Sequence, residues 1–530
     1  MSSVNETAYP QLKAEFTLKE LRGIYTPSPA EQGFVFSQYR QAPTRACLLI
    51  QLKVLQRLGY FMPLRQLPRP VVEHVCECAG LRPPTPSALT TYDKSGSKSL
   101  HQQRIRTHLN IRQMDAAAWR WLDSIAHKAA ATKQELPDII NVLIEELVRQ
   151  RYELPGFTRL SKLAAQARVT VNEQIYQQVM GRLTPTDIQR LDRLLQPGSS
   201  GSRWDDLKRE PKRPTVREIA SFLKHIAWLQ ELAQGLPVVT DIAATKRAQL
   251  TLEARALDQA EMRDLRPEKR YTLEVLLLRS QLQKAMDDVT EIFIKTLAGM
   301  HRSAELRLQE YRLKQAEQVD RLVIQFRDLL SVIEDDETAQ SLSTRIAGAL
   351  QGEPAIWLAQ CEEYLAYAGN NAFPFLLKPY GTLRSLLFQC LEVLSLRPSS
   401  QDDSVLHVLA WLKQYRSSHR EFIGVDRHNL ADLELSWLPE KWHRLVFGKK
   451  PDEGDTLFLH RKYLELAVFS QIMQDLKSGD LYVEHSDQYD DYREHLVSWE
   501  EYEQEIAQFG ELVGLPVDGQ EFVTASHAQE

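Results

Sequence analysis

The sequence predicts an all-α fold of several modules, mainly helical, with a long central helix and at most a few short strands near the C-terminus. Two observations predict this. No proline occurs between Pro267 and Pro354, and from about residue 274 to 333 the apolar residues recur at three- and four-residue spacing. Along the rest of the chain, shorter segments with the same spacing alternate with turns that contain proline or glycine.

An unbroken central helix would be roughly 90 Å long, at about 1.5 Å per residue. A chain of 530 residues is too long for one hydrophobic core and predicts about three or four domains. Changes in composition and the turn-rich segments give their boundaries. The expected domains are residues 1–156, residues 157–265, a helical strut at 266–350 and an acidic helical region at 351–530.

The net charge of −6 averages two unlike halves of the chain. Residues 1–280 contain 41 Lys and Arg against 29 Asp and Glu, whereas residues 281–530 contain 24 against 42. The basic half suits a polyanionic partner such as nucleic acid. The acidic half would be repelled by such a partner, so we expect it to have a different role.

Five cysteines are scattered through the chain, and no two of them have the spacing of a zinc site. We therefore expect buried, free thiols in a reducing cytoplasm.

The first ten residues lack the basic and apolar regions of a secretory signal, and no apolar run reaches the 18–20 residues of a membrane span. These patterns predict a soluble cytoplasmic protein.

The segment from Tyr92 to Arg112 is the first with a chemical signature. A turn of small residues at 95–97 leads into a predicted helix rich in Lys, Arg and His. Such cations suit contact with phosphate, since the N-terminus of a helix also donates free N–H groups. A solvated basic face has the same pattern, and both interpretations stay open. The candidate contacts are Lys94, Lys98, His101, Arg104, Arg106 and Arg112.

Residues 158–180 have the pattern of a degenerate helix-turn-helix, with the turn at residues 168–170 and Thr170 as the cap of the second helix. The usual turn glycine is replaced by Arg168, so an ordinary helical hairpin is the alternative. The candidate contacts in this segment are Arg159, Lys162 and Arg168.

Residues 196–214 have the composition of a linker, with Gly, Ser and Pro followed by a basic cluster. A basic linker between helical modules suits contact along a phosphate backbone. Its candidate contacts are Lys212 and Arg213.

The common catalytic signatures are absent from the sequence: there is no GxxxxGK[ST], GxGxxG, HExxH or GxSxG. Acidic runs occur at residues 287–288, 334–337, 402–403 and 490–491. Two-metal catalysis needs carboxylates that converge from separate elements. We expect these acidic residues to be solvated or to cap helices and turns, and metal binding is the alternative.

Several segments resemble the N-terminal half of the replicative transposases of the Tn3 family. The family pattern of tyrosine, basic-x-x-His, Ile-Arg and Leu-Gly is met by Lys98, His101, Ile105, Arg106 and Leu109. Asn110 stands in place of the glycine, and Asn tolerates the left-handed backbone that ends a helix. Residues 266–273 resemble the opening of the family's central helices. Residues 476–483, with Ser486, Tyr489 and Trp499, resemble its pre-catalytic segment.

This resemblance implies a protein that binds the terminal inverted repeats of a transposon through tandem helical modules. It also implies a C-terminal RNase-H-like domain with an Asp-Asp-Glu triad that uses Mg²⁺. The sequence ends at Glu530, soon after the pre-catalytic segment, so we expect the triad to be missing from it. We therefore expect no catalytic residue, no metal site and no cofactor in this chain, and no activity of the chain alone.

The function predicted from the sequence is binding of double-stranded DNA at inverted repeats, in the bacterial cytoplasm at the nucleoid. Residues 1–156 and 157–265 would be the DNA-binding modules, the second of them helix-turn-helix-like. The expected protein partners are a second copy of the chain or a full-length transposase. The first alternative is a helical scaffold that assembles with an intact transposase and inhibits it, and the second is an active nuclease with a cryptic acidic site.

Overall fold

A computed structural model describes residues 3–13, 15–198, 201–211, 215–334, 342–350, 353–367, 371–430, 433–447 and 454–513. The fold is mainly α-helical, as predicted, and the described strands are two to five residues long. Two of these strands, β1 (Pro197–Gly198) and β2 (Gly201–Ser202), lie outside the predicted C-terminal region. Among the described residues, no helix combines the length and the apolar character that a membrane-spanning segment needs.

The first fifteen helices and the first two strands lie between residues 18 and 334. In chain order they are α1 (Leu18–Glu20), α2 (Pro29–Gln38), α3 (Ala42–Leu58), α4 (Arg69–Cys78), α5 (Pro86–Asp93), α6 (Ser97–Leu109), α7 (Ala116–Thr132), α8 (Leu136–Arg149), α9 (Phe157–Met180), α10 (Pro185–Leu194), β1 (Pro197–Gly198), β2 (Gly201–Ser202), α11 (Arg203–Leu207), α12 (Val216–Ala233), α13 (Ala244–Ala256), α14 (Gln259–Asp264) and α15 (Pro267–Glu334).

The remaining elements mix helices with short antiparallel strand pairs. They are α16 (Leu342–Ala349), α17 (Pro354–Ala366), α18 (Leu377–Val393), β3 (Leu396–Pro398), α19 (Ser404–Lys413), β4 (Phe422–Asp426), α20 (Arg427–Leu430), α21 (Glu440–Phe447), β5 (Thr456–His460), α22 (Arg461–Ser478), β6 (Leu481–Val483) and α23 (Trp499–Val513). Strand β3 pairs with β6 in the register Leu396↔Val483, and β4 pairs with β5 in the register Phe422↔His460.

The chain forms two compact units. Unit 1 contains residues 1–206 and 235–277, and unit 2 contains residues 207–234 and 278–530. Helix α15 begins in unit 1 and continues in unit 2.

The core of unit 1 is built around α3, which is buried along most of its length. Gly59 ends this helix at a φ of 74°, a left-handed conformation that glycine adopts without steric cost. Thr17 and Glu20 form the capping box that their spacing predicts at the start of α1. Helices α7, α8 and α9 pack against one another, and α13 packs on α7.

The centre of unit 2 is a buried carboxylate, Glu465 of α22. Tyr380 donates its hydroxyl to Glu465 at 2.5 Å, and Arg384 donates two N–H groups at 2.7 and 2.8 Å. Arg461 adds an N–H at 3.3 Å. Burial is the main cause that raises the pKa of Tyr380, and Glu465 adds to it. The charged hydrogen bonds therefore join α18 and α22 inside the core.

The long central helix is confirmed, and at 68 residues it reaches about 100 Å. Its first predicted apolar stripe is buried in the fold: Leu278, Leu282, Met286, Val289, Phe293, Leu297 and Met300. The second predicted stripe consists of Val319, Leu322, Val323, Phe326, Leu329, Leu330 and Ile333. Val323, Phe326 and Leu330 are exposed and the first, second and fifth members are half-buried, whereas the Ile333 side chain lies outside the described residues. The described residues therefore do not fully cover this stripe as its spacing predicts.

Asp287 of α15 is also buried, and the structure gives it a capping role. Its carboxylate accepts hydrogen bonds from the Ser486 hydroxyl and from the backbone N–H groups of Asp487 (3.0 Å) and Gln488 (3.2 Å). Three donors to one carboxylate hold the turn that follows β6 against the central helix. In the described part of the chain, no group of three His, Cys, Asp or Glu side chains is placed to hold a metal ion.

Three sequence predictions about local structure are wrong. Residues 158–180 form neither a helix-turn-helix nor a hairpin, because α9 runs unbroken from Phe157 to Met180 with residues 168–170 in helical conformation. No glycine or proline interrupts this segment, so the α-helical backbone continues. The sequence predicts a short strand at residues 442–447, but these residues are helical. Two thiols, of Cys78 and Cys361, are exposed rather than buried.

A buried carboxylic acid near the start of α15 predicts that the stability of the fold depends on pH. Glu274 is fully buried, neither carboxylate oxygen has a hydrogen-bond partner among the described residues, and the nearest Arg270 nitrogen lies 3.8 Å away. Burial raises the pKa of Glu274 to about 8, against the opposing effect of Arg270. The folded state therefore keeps a proton that the unfolded state loses above pH about 4.3.

We expect the free energy of unfolding to fall as the pH rises from about 4.3 to about 8. Glu274→Gln should remove most of this fall, because glutamine does not ionise. Urea unfolding of the full chain at pH 5 and pH 8 measures the difference. The exposed Glu77→Gln variant is the control, and equal pH dependence in the two variants would contradict the prediction.

Candidate nucleic-acid interface

The predicted basic helix is α6, and its ends form as the sequence indicates. It ends at Asn110, whose φ of 52° and ψ of 45° are left-handed. At its start no side chain caps the helix, and Lys94 is exposed just before it. Lys98 lies 3.5 Å from a carboxylate oxygen of Asp93. Since Asp93 also accepts two backbone N–H groups, Lys98 is held within the fold.

His101 lies inside unit 1, only 3% exposed. Its Nδ1 is 2.8 Å from the Tyr92 hydroxyl, and its ring packs edge-on against Tyr39. Burial, helped by the charge of Arg104, lowers the pKa of His101. A neutral, buried imidazole cannot contact phosphate, so we remove His101 from the candidate contacts.

The two arginines of α6 are also occupied within unit 1. Arg104 donates to the Tyr39 hydroxyl at 2.7 Å. The Arg106 guanidinium donates to Glu153 at 2.7 Å and lies 5.0 Å from the centre of the Phe61 ring. Both side chains therefore connect α6 to its neighbours, which was not evident from the helical pattern alone.

Arg112 follows α6 in a short parallel bridge with Tyr152. Its backbone N–H donates to the Arg151 carbonyl at 2.7 Å, and the Glu153 N–H donates to its carbonyl at 2.9 Å. The exposed guanidinium lies 5.5 Å from the centre of the Tyr152 ring, which stacks on Trp121. The backbone bridge thus fixes where this cation is presented.

Arg159 and Lys162 lie near the start of α9, three residues apart and exposed on the same side of the helix. The Arg159 guanidinium lies 4.7 Å from the centre of the Trp119 ring. No side chain caps the N-terminus of α9, where Gly156 is the cap residue. Free N–H groups at this end favour an anion.

Trp119 and Trp121 flank Arg120, which is exposed on α7. At 100° per residue the two rings lie on either side of the Arg120 direction. These contacts form a row of cations and aromatic rings across the first turns of α7, here called the α7 belt. Its members are Arg112, Trp121, Arg120, Trp119, Arg159 and Lys162. Among the described residues, its four cations have no carboxylate within ion-pair distance.

Arg168 is not part of the α7 belt. Its guanidinium donates to the Gln134 carbonyl at 3.3 Å. There it lies near the buried Lys246, which donates to the Lys133 carbonyl at 3.1 Å and to the Gln134 side chain at 2.5 Å. Burial, with a smaller contribution from Arg168, lowers the pKa of Lys246 to about 8. Lys212 and Arg213 lie outside the described residues.

The α7 belt contains residues that the sequence analysis missed. No motif marked Arg120, Trp119 or Trp121, nor Tyr152 beside the belt. A cation between two tryptophans was nevertheless a signal that could have been used. The belt is defined by tertiary contacts between α7, α9 and the bridge at residues 112 and 152.

The chain resembles known proteins along most of its length. Residues 1–167 match the family model described as Domain of unknown function (DUF4158). Over 474 residues the chain is 22% identical to the transposase for transposon Tn3926 of Escherichia coli, covering 88% of this chain and 46% of that protein. The transposase for transposon Tn1546 of Enterococcus faecium is 19% identical with the same coverage. The transposase for transposon Tn501 of Pseudomonas aeruginosa is 21% identical over 471 residues.

The chain is a homologue of the Tn3-family transposases. The chain spans about half the length of the curated relatives that it matches. The matched family model includes α6, α7 and the first turns of α9, so every residue of the α7 belt lies within it.

Proposed function

We propose that this homologue of the Tn3-family transposases binds double-stranded DNA at the terminal inverted repeats of a transposon. Unit 1 provides the contacts, and the α7 belt is the part of unit 1 that meets the phosphate backbone. The homology supports the general role, since transposition acts on DNA. The belt supports the location, because its cations are exposed and are not neutralised by carboxylates among the described residues.

The geometry of the belt is the observation that carries this proposal. Two of its guanidinium groups lie over aromatic rings, which restrict their motion without neutralising their charge. A preorganised guanidinium loses less conformational entropy when it binds a phosphate. Lys162 and the uncapped end of α9 add a third cation and free N–H groups beside Arg159.

Phosphate contacts give affinity and orientation, whereas sequence is read at base edges. The belt accounts for affinity and orientation, and not for the reading of sequence. The other exposed candidate, Lys94, lies beside the uncapped start of α6 and forms a second phosphate contact in this proposal.

Fluorescence anisotropy with two duplexes at two salt concentrations tests the proposal. One duplex carries the inverted repeat of the element that encodes the chain, and the other has the same composition in scrambled order. We expect tighter binding to the repeat, and weaker binding to both duplexes at the higher salt because counterions are released on binding. Equal affinity for both duplexes would refute repeat recognition, and no binding to either would refute the DNA interface.

A further inference from the structure

An apolar stripe of α15 is left exposed by the described residues of unit 2. Val323 and Phe326 are 62% and 63% exposed, and Leu330 is 47% exposed. With the half-buried Val319 they follow a spacing of four, three and four residues, which places all four on one side of the helix. Such spacing is the seam along which two helices pair.

The neighbouring helix α16 lies on a different side of α15. Gln325, 7% exposed, donates to the Ala349 carbonyl of α16 at 2.8 Å. Gln325 is two residues from Val323 and therefore points about 200° away from it around the helix. Gln325 also points about 100° away from Phe326, so the α16 contact lies on a different side of α15 from the stripe, and a second helix can pack on the stripe without displacing α16.

Two charges run along one flank of the stripe. Asp320 and Arg327 are seven residues apart and exposed, so they lie on the same side of α15, next to Val323. In an antiparallel helix pair the same flanks of the two helices face each other. Asp320 then faces the partner's Arg327, and Arg327 faces the partner's Asp320. This reciprocal arrangement is what a twofold interface between identical chains requires.

A parallel pair does not give these contacts. There each flank faces the opposite flank of the other helix, and on α15 that flank carries Leu322 and Leu329. In the single chain Arg327 is bound by its neighbour Asp328 at 2.6 Å, and both side chains are exposed. This exposed pair contributes little to stability and can exchange partners.

We propose that a second copy of the chain docks on the residue 319–330 segment of α15, antiparallel, with the apolar stripes packed together. Asp320 and Arg327 form two equivalent ion pairs across the twofold axis. This proposal does not depend on DNA binding.

Charge reversals with a mixing experiment test the register. In a dimer of Asp320→Arg, arginine at 320 faces Arg327, and in a dimer of Arg327→Asp, aspartate at 327 faces Asp320. Each variant alone should dimerise at least about tenfold more weakly than the wild type, because like charges oppose each other twice. In the mixture, each reversed residue faces an opposite charge, so the two variants together should recover dimers of mixed composition.

Analytical ultracentrifugation of the full chain, with one variant fluorescently labelled, measures all these states. Arg321→Asp is the matched control, because Arg321 is exposed on the far side of α15, and it should dimerise like the wild type. Phe326→Glu should weaken the dimer, and its helix content by circular dichroism should remain unchanged. A monomeric wild type would overturn the proposal, including the case in which another part of the chain covers the stripe. Single variants as dimeric as the wild type, or variants that fail to pair when mixed, would also overturn it.

Discussion

Replacing Arg112, Arg159 and Lys162 together by alanine is expected to abolish most of the DNA affinity of the chain at moderate salt. Each cation that neutralises a phosphate contributes about one unit to the slope of log affinity against log salt. The triple variant should therefore bind with a slope lower by about three units. The loss should be the same for repeat and scrambled duplexes, because phosphate contacts do not depend on sequence.

Two controls separate charge from structure in this experiment. The charge-preserving variant Arg112→Lys with Arg159→Lys should keep nearly the full salt slope. The second control removes three exposed cations that already have carboxylate partners, namely Lys13, Arg69 and Arg182. Their removal should change the slope by less, because neutralised cations release fewer counterions. A triple belt variant that keeps the wild-type slope would show that the α7 belt is not the interface.

Removing the Glu465 carboxylate is expected to cause the largest loss of stability. Glu465→Ala leaves Arg384 and Arg461 buried or half-buried without their counter-charge, and it leaves the Tyr380 hydroxyl without its acceptor. Breaking a buried ion pair from one side typically costs about 3–5 kcal/mol. The midpoint of urea unfolding, followed by far-ultraviolet circular dichroism, should fall accordingly.

Glu440→Ala is the matched control for this prediction. Glu440 also pairs with an arginine, Arg444 at 3.0 Å, but its side chain is 82% exposed. Exposed pairs contribute about 0–1 kcal/mol, so the midpoint should hardly move. The midpoint shift of Tyr380→Phe should lie between the two, since this variant removes one hydrogen bond to a charged group, which contributes about 1.5–3 kcal/mol. Equal shifts for Glu465→Ala and Glu440→Ala would contradict the central role of Glu465.

The helical character of the chain could be predicted because it depends on local features. Helical periodicity marked the long central helix, and the asparagine at position 110 marked a helix end. These signals act between residues a few positions apart, so they are present in any window of the sequence. The helix-turn-helix prediction failed because it relied on a loose motif match and not on a residue that breaks a helix. No such residue occurs within α9, so the helix continues through the predicted turn.

The partners of the side chains could not be predicted in this way. His101, Arg104, Arg106 and Arg112 lie within twelve residues, and all looked like candidate contacts. The fold buries the first, engages the next two with Tyr39 and Glu153, and leaves only the last exposed. Their partners are distant in sequence, since Glu153 lies 47 positions beyond Arg106.

Local pattern therefore determined the helical fold class, the long central helix and which half of the chain carries positive charge, because all three depend on residue type and short spacing. Tertiary structure alone decided which cations remain exposed without a carboxylate partner among the described residues and which apolar stripe of α15 is buried. Burial and charge pairing depend on elements that meet across the fold. The stripe at 278–300 and the stripe at 319–330 share one periodicity, yet only the first is covered by the described residues.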